Sequence, residues 1–252
     1  EADKTGFGTA PDRRSNVWFT LQGGRVSEVF YPDLSTPSVR SLELVVTDGE
    51  SFVDRASRDM RTVVSRPDER SLRFTQVSTD RDRRYRLVVQ YVTDVARDAL
   101  VVRADLTSLD GGRYQLWTLH DPALGNDGSD DRARSRAHAL HARDATTATV
   151  LLARPRLRST TSGLVGTTTD PWPDLGSRHR SAGPGNVVQA ARLRTHTTLA
   201  LGFGGSLERA REQARGALGQ RWGSARTAYD RHWHSYVASL REVPASAEGV
   251  RR

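Results

Sequence analysis

Apolar and polar side chains alternate with a period of two through most of the chain. Tyr85, Leu87, Val89 and Tyr91 are interleaved with Arg86, Val88 and Gln90, and Leu100, Val102, Ala104 and Leu106 with Val101, Arg103, Asp105 and Thr107. That period is the mark of strands buried on one face. Val17, Phe19 and Leu21 predict a further strand, and Leu199, Leu201 and Phe203 close the series. Between strands, Gly23-Gly24, Asp48-Gly49 and Gly111-Gly112 offer the positive-φ positions that tight hairpins need, so successive strands are expected to pair antiparallel. Many such segments with no helical pattern between them predict a mainly β fold, a large antiparallel β-sandwich over residues 1–205.

The period changes after Gly204-Gly205. Ser206 can cap a helix, Glu208 sits well in its first turn, and Leu207, Ala210, Ala214 and Leu218 recur at helical spacing before Gly219. A second helix is predicted from near Ser224. Tyr229, Trp233, Tyr236, Val237 and Leu240 fall on one of its faces, an aromatic stripe that must bury against something. Either the sandwich or a further domain could cover it, since Tyr and Trp are enriched at interfaces, and Tyr229, Trp233, Tyr236 and Leu240 are the candidate domain-interface residues. Residues 206–242 are read as linker helices, and 243–252, with Pro244, as a linker toward an absent domain.

At 252 residues the chain can bury a sizeable core. No window approaches the roughly 18 consecutive apolar residues of a membrane helix, so no membrane partner is expected. The absence of Cys excludes disulfides, thiolate zinc sites and cysteine nucleophiles but leaves the compartment open, with secretion favoured over the cytoplasm. Residue 1 is Glu, as expected of a processed or trimmed chain with any export signal out of view. The net charge of +8 would suit nucleic acid, but of 38 basic residues only Lys4 is Lys, and Ile is missing altogether, a bias typical of GC-rich coding. The arginines are also interspersed with acids: Arg132, Arg134 and Arg136 follow Asp130 and Asp131, which reads as a solvated mixed-charge surface and not a nucleic-acid site.

Signals for chemistry within the chain are weak. His138 and His141 would lie on opposite faces of a strand and are expected at the surface, and His232 and His234 diverge around a helix. The acidic run Asn126 to Asp131 lacks the EF-hand register, and Gly202-Phe203-Gly204-Gly205 reads as a plain turn. There is no G-x-S-x-G elbow. No catalytic residue, metal or cofactor is assigned.

Several strings are more specific. DKTGFGTA from Asp3, VWFTLQGGRVSEVFYPDLSTPSVRSLELVVTDGESFVDR from Val17 to Arg55, DPALGND from Asp121, STTSGLVGTTTDPWPDLG from Ser159, GNVVQAARL from Gly185 and TLALGFG from Thr198 together span nearly the whole chain. In content and order they closely resemble the N-terminal domain of bacterial glucoamylases and glucodextranases, glycoside hydrolase family 15. The resemblance implies a galactose-mutarotase-like supersandwich followed by linker helices and an (α/α)6 barrel. In that barrel an inverting pair of glutamates hydrolyses α-glucosidic bonds from the non-reducing end. The partner it implies is the chain's own C-terminal catalytic domain. Glu28 and Glu43 match no catalytic position and are expected to be strand-edge or surface acids.

Within the matched strings, Tyr31-Pro32 and Thr36-Pro37 predict a stiff loop. Trp172, set between two prolines and flanked by Asp170 and Asp174, is suited to stacking on a sugar ring; with Tyr31 these are the candidate contacts to an α-glucan, against the alternative of packing within the protein. Three functions follow. The chain is a noncatalytic accessory domain, a carbohydrate-binding module, or a mutarotase-like enzyme, which would need a His and an acid converging in a cleft.

Overall fold

The computed structural model describes residues 3–136, 138–172 and 174–240, so the tail read as a linker at 243–252 lies outside the described residues. Strands follow one another in the order β1 (Gly6–Thr9), β2 (Trp18–Gln22), β3 (Arg25–Phe30), β4 (Pro37–Thr47), β5 (Val53–Arg55), β6 (Met60–Ser65), β7 (Phe74–Asp80), β8 (Tyr85–Thr93) and β9 (Ala99–Ser108). Then come β10 (Gln115–Pro122), β11 (Arg132–Arg136), β12 (Ala139–Arg143), β13 (Ala148–Arg154), β14 (Arg158–Leu164), β15 (Ser181–Ala182), β16 (Val187–Leu193) and β17 (His196–Gly204). Helices α1 (Leu207–Gly219) and α2 (Trp222–Ser239) complete the described residues.

Among the described residues the strands form two antiparallel sheets, the sandwich expected from the alternation. The first has eight strands ordered β1-β2-β3-β4-β10-β16-β14, with β5 also on β4; the second has nine, ordered β15-β11-β12-β13-β17-β9-β8-β7-β6. Gly23-Gly24 closes the β2–β3 hairpin and Gly49 the turn into β5, each at positive φ. Gly111 also has positive φ, but β9 and β10 belong to different sheets, so Gly111-Gly112 turns the chain across the sandwich instead of closing a hairpin.

The core lies between the sheets. Tyr85, Leu87, Val89 and Tyr91 of β8, Leu100, Val102, Ala104 and Leu106 of β9, and Leu199, Leu201 and Phe203 of β17 all point into it. The intervening Val92, Ala99, Val101 and Ala200 face the other way and are buried too, under Ala214, Ala217, Leu218 and Tyr229 of the two helices. These central strands are covered on both faces, which is why they read as nearly continuous apolar runs. Burial of a large apolar side chain stabilises by about 1.5–3 kcal/mol, so this second layer matters energetically.

Helix α1 starts as expected: the Ser206 hydroxyl accepts a hydrogen bond from the Arg209 amide at 3.2 Å. Its seat on β17 depends on Gly202, where a Cβ would fall 2.3 Å from the Ala210 carbonyl oxygen. The glycines before α1 therefore admit a helix against a strand, and do more than turn the chain. Helix α2 begins two residues before Ser224, at Trp222, whose indole packs on the same outer layer and donates to the Gln90 side chain at 3.2 Å.

Candidate functional site

Two regions carry the residues singled out by sequence. The first is the outer face of the eight-stranded sheet, where the 170–176 loop folds down over Val45, Trp117, Leu119 and Ala190. Trp172 packs on that cluster half-buried, and the Arg55 guanidinium lies over its ring, 5.0 Å from the centroid. Arg55 is in turn held by Glu43, with its Nε donating to the carboxylate at 2.8 Å. Glu43 was expected at a strand edge or surface; it is buried, on the central strand β4, and its other oxygen accepts the Ser57 amide at 2.9 Å. A buried carboxylate needs such a counter-charge, and here that charge also covers an aromatic ring.

The flanking acids are engaged by their own loop. Asp170 accepts the Trp172 amide at 2.9 Å and the Gly166 amide at 2.8 Å, and Asp174 accepts the Gly176 amide at 2.7 Å. These contacts fix the loop backbone in the manner of Asx turns. Gly163 permits the fold-back, since a Cβ there would collide with the Thr169 carbonyl. Tyr31 lies elsewhere: its ring stacks on Phe203 with centroids 5.3 Å apart, at the edge of the core between the sheets. Burial raises its phenol above the ordinary range, followed by the nearby Asp98 carboxylate. The structure thus brings Asp170, Trp172 and Asp174 together and leaves Tyr31 apart. Sequence reading missed Asp121, beside this loop, whose carboxyl is pushed up to about 6 by burial against the opposing pull of Arg40 and Arg55.

The second region is the α2 stripe. Tyr229 is fully buried, and its hydroxyl donates to the Thr9 carbonyl at 2.7 Å, so it has no accessible surface left for a further domain. The Trp233 indole donates to the same carbonyl at 3.0 Å and packs on the layer beneath α2. Asp230 binds Arg73 at 3.1 Å and Ser71 at 2.7 Å, while His234 meets Asp68 at 2.6 Å, so this part of the helix is clamped to the sandwich by polar as well as apolar contacts. The stripe then runs off the sheet. Tyr236 stands edge-on to Trp233 and is 44% exposed, and Leu240 is 54% exposed.

Three further histidines sit on different strands and engage different partners. His120 is buried between the sheets with its Nδ1 3.2 Å from Gln189 Oε1, and burial lowers it to about 4. His141, expected at the surface, is buried under α1 against Arg211 because the helix folds back over β12. His196 pairs with Asp105 at 2.9 Å, exposed. Among the described residues no three metal-ligating side chains converge, and no helix is long and apolar enough to cross a membrane.

Comparison with known proteins decides the family. The model of the family described as "Glucodextranase, domain N" matches residues 1–238. The chain belongs to this family. A glucoamylase from Clostridium sp. (strain G0005) is 30% identical over 99% of the chain, and the chain spans 38% of that protein's length. A bacterial glucoamylase crystallised in complex with acarbose superposes with a TM-score of 0.88 at 30% identity, over 95% of this chain and 38% of that one. A family GH92 glycosyl hydrolase shares the fold alone, with a TM-score of 0.51 at 10% identity over 90% of this chain and 34% of that one. The chain thus corresponds to the N-terminal domain of bacterial glucoamylases and glucodextranases.

Proposed function

We propose that this chain is the noncatalytic N-terminal accessory domain of an exo-acting α-glucan hydrolase, and that it packs on and stabilises a helical catalytic barrel. The parent enzyme, on this reading, cleaves α-glucosidic bonds from non-reducing ends with inversion, using acids that lie in the barrel. One observation carries the docking role. The aromatic stripe of α2 is buried at Tyr229 but exposed at Tyr236 and Leu240, where the chain leaves the sandwich. An exposed apolar end of a clamped helix is a natural seat for a neighbouring domain. Burial of the exposed halves of these two side chains would contribute about 1.5–3 kcal/mol before ordering costs, enough to matter between domains.

The chain incubated with maltohexaose should release no glucose. Glucose release by the chain alone would overturn the reading. Retardation of the chain in a starch-containing gel would favour instead a carbohydrate-binding module, a role for which Trp172 would have to give up its Arg55 cover.

A further inference from the structure

Between α1 and the outer face of β11, β12 and β15 lies a cleft of about 700 Å³ whose lining is dominated by arginine. The alternation of β11 sets Arg132, Arg134 and Arg136 on one exposed face. Cross-strand register then places Arg132 opposite Arg143 and Arg134 opposite His141. From the other wall, α1 brings the Arg211 guanidinium to 2.5 Å from His141 Nε2. A guanidinium can only donate, so His141 accepts at Nε2 and is neutral. Its burial, and then Arg211, Arg136 and Arg134, push it down to about 4.

These charges were expected to be balanced by Asp130 and Asp131. They are not: Asp131 is buried and turned inward, accepting the Leu124 amide at 3.2 Å. Among the described residues none of Arg132, Arg134, Arg136, Arg143 and Arg211 forms an ion pair, and Glu208, the acid on the cleft wall, engages none of them. Like charges directly opposite on a ladder destabilise it. Arg211 shows the same strain from the helix side, lowered below the ordinary arginine value by burial and then by Arg215 and Arg136. The set is therefore self-repelling and concave, with planar guanidinium forks that suit tetrahedral oxyanions.

We propose that this cleft binds a small multivalent oxyanion of the phosphate or sulfate class, free or as an ester on a small molecule. Arg134, Arg136 and Arg211 supply the charge, and the Ser181 hydroxyl on the cleft wall supplies a neutral donor. Arginines continue past the cleft at Arg178, Arg180 and Arg215, but the cleft itself has small-molecule size and is walled by α1 on one side and the sheet on the other, which favours such a ligand over an extended polyanion.

The test is thermal melting and calorimetric titration of the chain with sodium sulfate, inorganic phosphate or glucose 6-phosphate, each against sodium chloride at equal ionic strength. At about ten times the dissociation constant the melting temperature should rise by about 3 °C and go on rising with the logarithm of anion concentration, while the calorimetric titration saturates. In Arg134→Gln and Arg136→Gln the rise should vanish, while without anion each variant should melt no lower than the parent, because a repulsive charge has been removed. A lower saturation midpoint for glucose 6-phosphate than for phosphate identifies an ester as the source, and equal midpoints identify the free ion; both uphold the site. A rise that follows ionic strength regardless of anion valence, or that persists in both variants, overturns it. So does binding of oligoglutamate without a response to phosphate or sulfate, which would mark the face as a seat for an acidic protein.

Discussion

Gly202→Ala should break the seat of α1 on the sandwich. The added methyl would lie 2.3 Å from the Ala210 carbonyl oxygen and 2.5 Å from the Ala214 amide nitrogen, where ordinary contact begins at 3.4 Å. Both are helix backbone atoms, so no rotamer change relieves the clash, and α1 must retreat by about 1 Å. That retreat loosens Ala214, Ala217 and Leu218 from Val92, Ala99, Val101 and Ala200. Overpacking of this kind, with the partial loss of one packed layer, is worth about 2–4 kcal/mol. For a domain of this size the melting temperature should fall by about 5–12 °C. Gly223→Ala is the control: it lies in α2 with nothing within 4 Å of an added Cβ. Alanine there should leave stability unchanged or raise it by about 0.5 kcal/mol through helix propensity. Circular-dichroism melts of the two variants beside the parent decide the matter. If Gly202→Ala melts within about 1 °C of the parent, α1 is not held at the distance described and the role given to this glycine is wrong.

Glu43→Ala removes the counter-charge of Arg55 and should destabilise by about 3 kcal/mol, since a mostly buried guanidinium is left unpaired. Freed from its anchor, Arg55 should also leave the Trp172 ring, read as a change in tryptophan emission relative to Trp172→Phe; unchanged emission would deny the Glu43–Arg55–Trp172 stack. Asp131→Asn tests a buried acid through pH. Burial raises Asp131 to about 6 from 3.8, so the folded state binds the extra proton, and its contribution is full below about pH 4 and lost as pH rises through 6. The stability of Asp131→Asn relative to the parent should therefore increase between pH 4 and 7, by the order of 2–3 kcal/mol, in urea titrations at several pH values. A pH-independent difference would contradict it.

Much of the fold was legible because half-buried strands write their burial directly into residue order. β8, β9 and β17 contribute to the core the very residues their alternation selects. The Ser206 cap was legible for a similar reason, being local chemistry. What could not be read depends on contacts distant in sequence. Gly111-Gly112 has the chemistry of a hairpin turn, yet only the sheet assignment of its neighbours shows that it crosses the sandwich. Gly202 resembles any turn glycine until α1 folds back on β17, and the same fold-back buries His141. Glu43 left a signal that could have been used: an acid inside the run Leu42 to Val46, on a strand covered on both faces, demands a counter-charge. The arginines of β11 were visible, but their isolation from Asp131 was not, because that acid turns inward at a loop.

The claim that the exposed end of α2 meets a catalytic barrel is tested most directly by Tyr236→Ser combined with Leu240→Ser, placed both in the chain alone and in the full polypeptide carrying the barrel. In the chain alone Tyr236 gives up only its edge contact with Trp233 and Leu240 is more than half exposed, so melting should fall by no more than about 4 °C. In the full polypeptide the half-life of glucose-releasing activity at elevated temperature should shorten by about tenfold, corresponding to about 1.4 kcal/mol of lost contact. An unchanged half-life in the full polypeptide, or a loss of stability confined to the chain alone, would contradict the account.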